Sequence, residues 1–295
     1  MSVKYSITLS SFRNIAEPLE QILDRLVKQG YDAVEMYGEP ENVQLKFLQD
    51  LFESYNISVC AVTGMWGYIS PQGWKRRLLS SDQGMITYSQ KYVKQCVDMC
   101  QLLGGKKLNI CLFADDKLVS IDRNHQVISE EQKAPIVEHV IPVLSQLSRY
   151  ANDRGVQILL EPLNRYSTPY CTTAADAIAV AQKVNQDNFG VLLDTFHMNI
   201  EEDSFENAIL SSGRLLRHMH FADNNRKMPG LGHIDFASII KALDRIEYYN
   251  NQYISFEPNF ISNRYQTDTQ YGMDFIKSIQ ANTRHAVNHN CQGIR

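Results

Sequence analysis

Eight short apolar runs recur along the chain, and stretches with helical periodicity separate them. The runs cover residues 5–9, 33–37, 58–62, 107–112, 156–161, 191–194, 217–221 and 253–257. They are rich in Val, Ile, Leu and Tyr and mostly apolar on both faces. Parallel strands covered by helices have this pattern. Residues 15–28 set Ile15, Leu19, Ile22, Leu23, Leu26 and Val27 on one helical face, and Gly30 follows as a stop. Residues 88–103 stop at Gly104-Gly105, and residues 131–152 stop near Gly155. Helices over 173–184, 236–246 and 274–285 complete the series, with Thr173 and Asp176 as a capping signal.

Eight strands with interleaved helices predict a parallel (β/α)8 TIM barrel, one domain over residues 1–287, with a polar tail at 288–295. The alternative is an open doubly wound sheet. Eight units suit one domain of this length, and no Gly-rich dinucleotide loop follows the first strand. The long loop over 63–83 carries Trp66 and Trp74, and is a candidate lid or substrate wall.

Composition narrows the partners. The chain is 44% hydrophobic and 21% charged, as soluble globular proteins are. A net charge of -4 and a pI near 6.1 speak against a nucleic-acid partner. No apolar stretch reaches the length of a membrane span. The opening residues are too briefly apolar for a secretory signal. Cys60, Cys96, Cys100, Cys111, Cys171 and Cys291 show no C-x-x-C pairing and read as reduced thiols of a cytoplasmic protein.

Four of the runs end in a polar residue: Glu161, Asp194, His220 and Glu257. A charged group ending an apolar strand is costly to desolvate unless paired or liganded. Any one of the four could be a buried group paired with Lys, Arg or backbone. Strand C-terminal ends of a barrel converge on one face, so four in succession can reach one point. Three oxygen donors and one nitrogen suit one hard divalent cation, Mn²⁺ foremost, with Mg²⁺ or Co²⁺ as alternatives and Zn²⁺ behind them. His197, on the loop leaving the sixth strand, is placed to face a substrate oxygen. Arg226, on the loop after the seventh, could hold a hydroxyl, keto oxygen or phosphate. Trp66, Tyr68 and Phe113 could stack on a sugar face, with loop packing as the alternative. His233 and Asp235 read as capping groups.

At these residues the chain resembles the xylose-isomerase-like TIM-barrel superfamily, and within it the ketose 3-epimerases of the tagatose or psicose type. Four segments carry the likeness: Glu161-Pro162-Leu163-Asn164-Arg165-Tyr166, the block from Leu193 to Glu202, His218-Met219-His220 with 225–230, and Ser255-Phe256-Glu257-Pro258. The resemblance implies one divalent metal on Glu161, Asp194, His220 and Glu257. It implies that Glu161 and Glu257 also form the acid/base pair, and that His197 and Arg226 hold substrate oxygens. It implies a small carbohydrate substrate and a dimer or tetramer. Ser167 departs from the pattern, since these epimerases commonly carry Glu there. That leaves room for a sugar phosphate, a keto-polyol or a sugar derivative.

The expected reaction is proton transfer next to a ketone through a metal-stabilised enediolate, with inversion at carbon 3. Aldose–ketose isomerisation, a hydroxypyruvate-type isomerase or an inosose dehydratase would use the same residues. A non-catalytic sugar-binding protein would not need three carboxylates around a metal. An apurinic-site endonuclease shares the barrel but needs further histidines on early strands, and the first histidine of this chain is His125.

Overall fold

The computed structural model describes residues 3–66, 70–114, 128–250 and 252–292, with side chains to 283. Tyr68 and His125 lie outside these. Eight parallel strands close into a barrel in sequence order. They are β1 Lys4–Thr8, β2 Ala33–Tyr37, β3 Ser58–Thr63, β4 Lys107–Ile110, β5 Gln157–Leu160, β6 Phe189–Asp194, β7 Leu216–Phe221 and β8 Tyr253–Phe256. β1 pairs with β8 at Ser6↔Ser255, which closes the ring. The expected (β/α)8 fold is therefore present, and the strand positions hold to within two residues.

The helices are α1 Leu19–Lys28, α2 Leu45–Ser54, α3 Gln83–Leu102, α4 Glu130–Asn152, α5 Ala174–Val184, α6 Thr195–Glu201, α7 Phe205–Ser212, α8 Phe236–Arg245 and α9 Tyr265–Gln292. α1 begins four residues later than its periodicity suggests. Pro18 is extended at the N-cap and disfavours helix at the residue before it. α5 carries the expected capping box of Thr173 and Asp176, and Asp235 caps α8 through the N–H groups of Ala237 and Ser238. α2, α6 and α7 were not anticipated. α9 starts nine residues before the expected 274 and runs to Gln292, into the stretch read as a polar tail.

The strands are not equally apolar on both faces, as their sequence suggested. Ile7, Val34, Met36, Leu108 and Ile110 belong to the buried apolar core. Their neighbours Ser6, Thr8, Glu35 and Asn109 are just as buried. Alternate residues point to opposite faces of a strand. Glu35 on β2 touches His218 on β7, a strand that does not neighbour it, so these polar residues meet across the lumen. Lys107 makes a similar crossing lower down. Its ammonium donates to the Arg217 carbonyl at 2.7 Å and to the side-chain oxygen of Gln252.

Candidate active site

The four residues that end β5 to β8 do converge. One ligand-type atom from each of Glu161, Asp194, His220 and Glu257 lies within 4.8 Å of the others. That spread fits donors around an ion with bonds of about 2.0–2.2 Å. His220 Nδ1 is 3.3 Å from Glu257 Oε2 and 3.6 Å from Glu161 Oε1. Glu161 Oε1 and His220 Nδ1 are buried and have no hydrogen-bond partner among the described residues. Orphaned polar atoms in such a place are costly, and a cation would satisfy both. The donor set thus fits a divalent ion.

Local structure sets each donor. Asp194 is both the last residue of β6 and the N-cap of α6, where one carboxylate oxygen accepts from the Phe196 N–H at 2.9 Å. Its other oxygen accepts from Arg226. Glu161 follows β5 directly. Its Oε2 accepts from the Asn109 amide at 2.6 Å and from the Cys111 thiol at 3.7 Å, which leaves Oε1 to the cluster. Glu257 Oε2 accepts from Arg226 at 3.0 Å. Burial alone would raise Glu257, but the charges of His220 and Arg226 outweigh it and hold the carboxyl at about 2. Burial lifts Asp194 above its ordinary value, against the pull of Arg226 and His197. His220 is pulled down by burial and lifted more by Glu257 and Glu35, ending well above the usual histidine range.

His197 stands on α6, not on a loop, because the helix starts at the residue after β6. The backbone N–H of Asn164 donates to its Nδ1 at 3.1 Å, with the Asn164 amide nitrogen 2.8 Å away. A backbone N–H can only donate, so the neutral ring carries its proton on Nε2. Burial holds the ring at about 4, so it is neutral near pH 7. Nε2 is buried 3.7 Å from Asp194 Oδ2 and has no hydrogen-bond partner among the described residues, and His197 lines the cavity. Asn164 is held in turn by the next residue, since Arg165 grips Glu201 of α6 through two bonds of 2.9 Å.

Arg226 reaches the quartet itself, bridging Asp194 and Glu257 over the ring of Phe196. Its backbone is left-handed, with φ 59°. The loop around it is wound on the buried carboxylate of Asp223. That group accepts the N–H groups of Asn224, Gly230 and Gly232 at 2.9 Å each and of Ile234 at 3.1 Å. A Cβ on Gly232 would stand 2.2 Å from Asp223 Oδ1, so only glycine fits.

A cavity of about 270 Å³ opens beside the quartet, lined among others by Arg13, Trp66, Ser167, His197 and Asn259. It is at the small end of ligand pockets, on the scale of one small polar molecule. Trp66 is among the residues lining it, and Arg76, paired with buried Glu39, donates to the Trp66 carbonyl. Phe113 is not among the lining residues. It packs edge-on against Trp66, with ring centres 5.3 Å apart. Glu35, His218 and Asn109 support the site and were not anticipated. Each is a polar residue inside an apolar run. For Glu35 and Asn109 that interruption is the signal in the sequence, while His218 also lies in the His218-Met219-His220 segment that carries the family likeness.

Fold and site together define a metal-suited TIM barrel, and comparison names its class: the chain belongs to the xylose isomerase-like TIM barrel family, whose profile matches residues 23–279. Among its relatives, the L-ribulose 3-epimerase of Methylomonas sp. (strain DH-1) is 28% identical over 222 residues, covering 75% of this chain and 72% of that one. The D-psicose 3-epimerase of Agrobacterium fabrum is 43% identical over a shorter 105 residues, 36% of each chain. The structure of a D-psicose 3-epimerase with D-tagatose from Clostridium cellulolyticum H10 superposes with a TM-score of 0.77 at 22% identity, covering 94% of this chain and 99% of that one. At that identity the likeness speaks for the fold. The curated relatives are epimerases, and this chain is an enzyme of the isomerase class.

Proposed function

We propose that the chain is a divalent-cation-dependent epimerase of a keto-sugar or sugar derivative, with inversion at carbon 3 favoured. One observation carries this: Glu161, Asp194, His220 and Glu257 gather their donors within 4.8 Å, beside a small polar cavity. The ketose 3-epimerase relatives support the substrate class. Mn²⁺ is the proposed ion, with Mg²⁺ or Co²⁺ as substitutes. The five described cysteines are free and buried, which supports a reducing compartment such as the cytoplasm.

Bound here, a divalent cation would polarise the ketone and a neighbouring hydroxyl and stabilise charge as the α-proton leaves. The chain's own residues do the rest. Epimerisation needs a proton removed from one face and returned on the other. Glu161 after β5 and Glu257 after β8 approach the cluster from strands that are not neighbours, and serve as the two carboxylates. His197 donates its Nε2 proton to a substrate oxygen. Arg226 keeps Glu257 ionised and offers its remaining N–H groups to the substrate. Ser167 lines the cavity without adding a further negative charge. The two acid–histidine clusters among the described residues share His220, which favours one cation position over the multi-metal cluster of an endonuclease.

The test is a panel of free and phosphorylated keto-sugars, assayed after chelation and again after Mn²⁺ is restored. The expected result is turnover only with the cation, and deuterium at the inverted carbon when the reaction runs in D₂O. Turnover that survives full cation removal sinks the reading. Inversion without solvent deuterium overturns proton transfer through the two carboxylates.

A further inference from the structure

Strand β2 brings no donor to the quartet, yet it sets a carboxylate against one. Glu35 is 1% exposed, inside the lumen. His218 Nε2 donates to its Oε1 at 2.5 Å, and His220 Nε2 donates to its Oε2 at 3.0 Å. The Thr63 hydroxyl adds a third bond, to Oε2 at 3.2 Å. An ionised carboxylate only accepts, so both imidazoles turn a protonated Nε2 toward it. With Nε2 committed, Nδ1 is the atom His220 presents to Glu161 and Glu257, at 3.6 and 3.3 Å.

Glu35, His218 and His220 could by residue type hold an ion of their own. Their facing atoms are already joined by hydrogen bonds, and neither Glu35 nor His218 is among the residues lining the cavity beside the quartet, so the cluster is a support. We infer that Glu35 is a positioning residue for the cation: it fixes the tautomer and ring angle of His220 so that the Nδ1 lone pair is offered to the ion. His218 anchors the other Glu35 oxygen and keeps the carboxylate from swinging. Carboxylates placed in this way behind a metal-bound histidine also raise its basicity, and their loss typically weakens metal binding about 10–100-fold. The inference rests on reading the quartet as a cation site.

Mn²⁺ alone is titrated into chelator-stripped protein and followed by calorimetry, well below the melting transition. Glu35→Gln should bind Mn²⁺ about 10–100-fold more weakly than the parent, because the amide replaces one of the two accepting oxygens with an N–H donor that faces an imidazole N–H. Thr63→Val, which removes one of the three hydrogen bonds to Glu35 and leaves both imidazoles their acceptors, should lose less affinity than Glu35→Gln does. A parent that binds Mn²⁺ beside a Glu35→Gln variant that binds it within twofold overturns the positioning role. A parent that binds no Mn²⁺ overturns the cation reading instead. ¹⁵N-histidine spectra of the Mg²⁺-loaded parent decide the matter without a variant. His220 should keep its proton on Nε2 and coordinate through Nδ1, and the reverse arrangement overturns the inference.

Discussion

The two halves of the barrel contribute differently to the site. Strands β5 to β8 end in the four candidate donors, helix α6 supplies His197, and the loop after β7 supplies Arg226. Strands β1 to β4 end in none of these. Their side chains instead hold the donors from inside: Glu35 and Thr63 behind His220, and Asn109 and Cys111 behind Glu161. One half offers the four candidate donors and the other, besides Arg13 and Trp66 on the cavity wall, fixes where those atoms point. A closed barrel makes this division possible, because lumen residues of any strand can meet those of a strand across from it.

The largest effects should come from the donor half. Glu161→Gln and Glu257→Gln each keep the shape of the side chain and remove its capacity to take a proton. Each should lower kcat by about 10²–10⁴-fold on whichever keto-sugar the enzyme turns over. Steady-state rates at saturating Mn²⁺ measure this. Retention of a tenth of the parent rate by either variant would remove that carboxylate from the acid/base pair.

A smaller loss should follow on the holding side. Asn109→Ala deletes the 2.6 Å bond to Glu161 Oε2 and leaves every donor in place. A hydrogen bond to a charged group is worth about 1.5–3 kcal/mol, which corresponds to about a 10- to 150-fold fall in kcat/KM. A double-mutant cycle sharpens the comparison. If Asn109 acts through Glu161, the Asn109→Ala change should cost little more once Glu161→Gln is present. Additive losses would show that Asn109 acts elsewhere, and the two halves would then be less distinct than their geometry suggests.

The same division explains what the sequence could tell. Glu161, Asp194, His220 and Glu257 each close an apolar run, so a charge at an apolar end stands out. Glu35 interrupts Ala33-Val34-Met36-Tyr37 from within, and Asn109 does the same between Leu108 and Ile110. A single polar residue in a strand reads equally as a solvent-facing position. Its partner His218 is 183 residues away, and no local pattern links them. α6 was hidden for a different reason. Asp194 ends the strand, caps the helix and joins the donor cluster, so no loop separates β6 from α6. α2 had little to announce it, since its N-cap Gln44 makes no side-chain capping bond.

The smallest expected effect tests the tie between the halves farthest from the chemistry. Lys107, at the start of β4, donates across the lumen to the Arg217 carbonyl of β7 and to Gln252 just before β8. Burial holds its ammonium down to about 8. The unfolded chain keeps that proton to about 10.4, so between the two values the unfolded state binds more protons than the folded state. Stability from this group therefore rises with pH across that window, and it is lost again as pH falls through 8. The buried thiols pull the other way, because burial raises Cys96 and Cys100 to about 12 and the unfolded chain ionises them first. A difference measurement separates the two contributions. Relative to Lys107→Met, the parent should gain urea stability between pH 7.5 and about pH 10, with the thiol contribution common to both. A gap that stays constant would mean that Lys107 remains charged in the fold and ties the two halves by charge as well as by its hydrogen bonds.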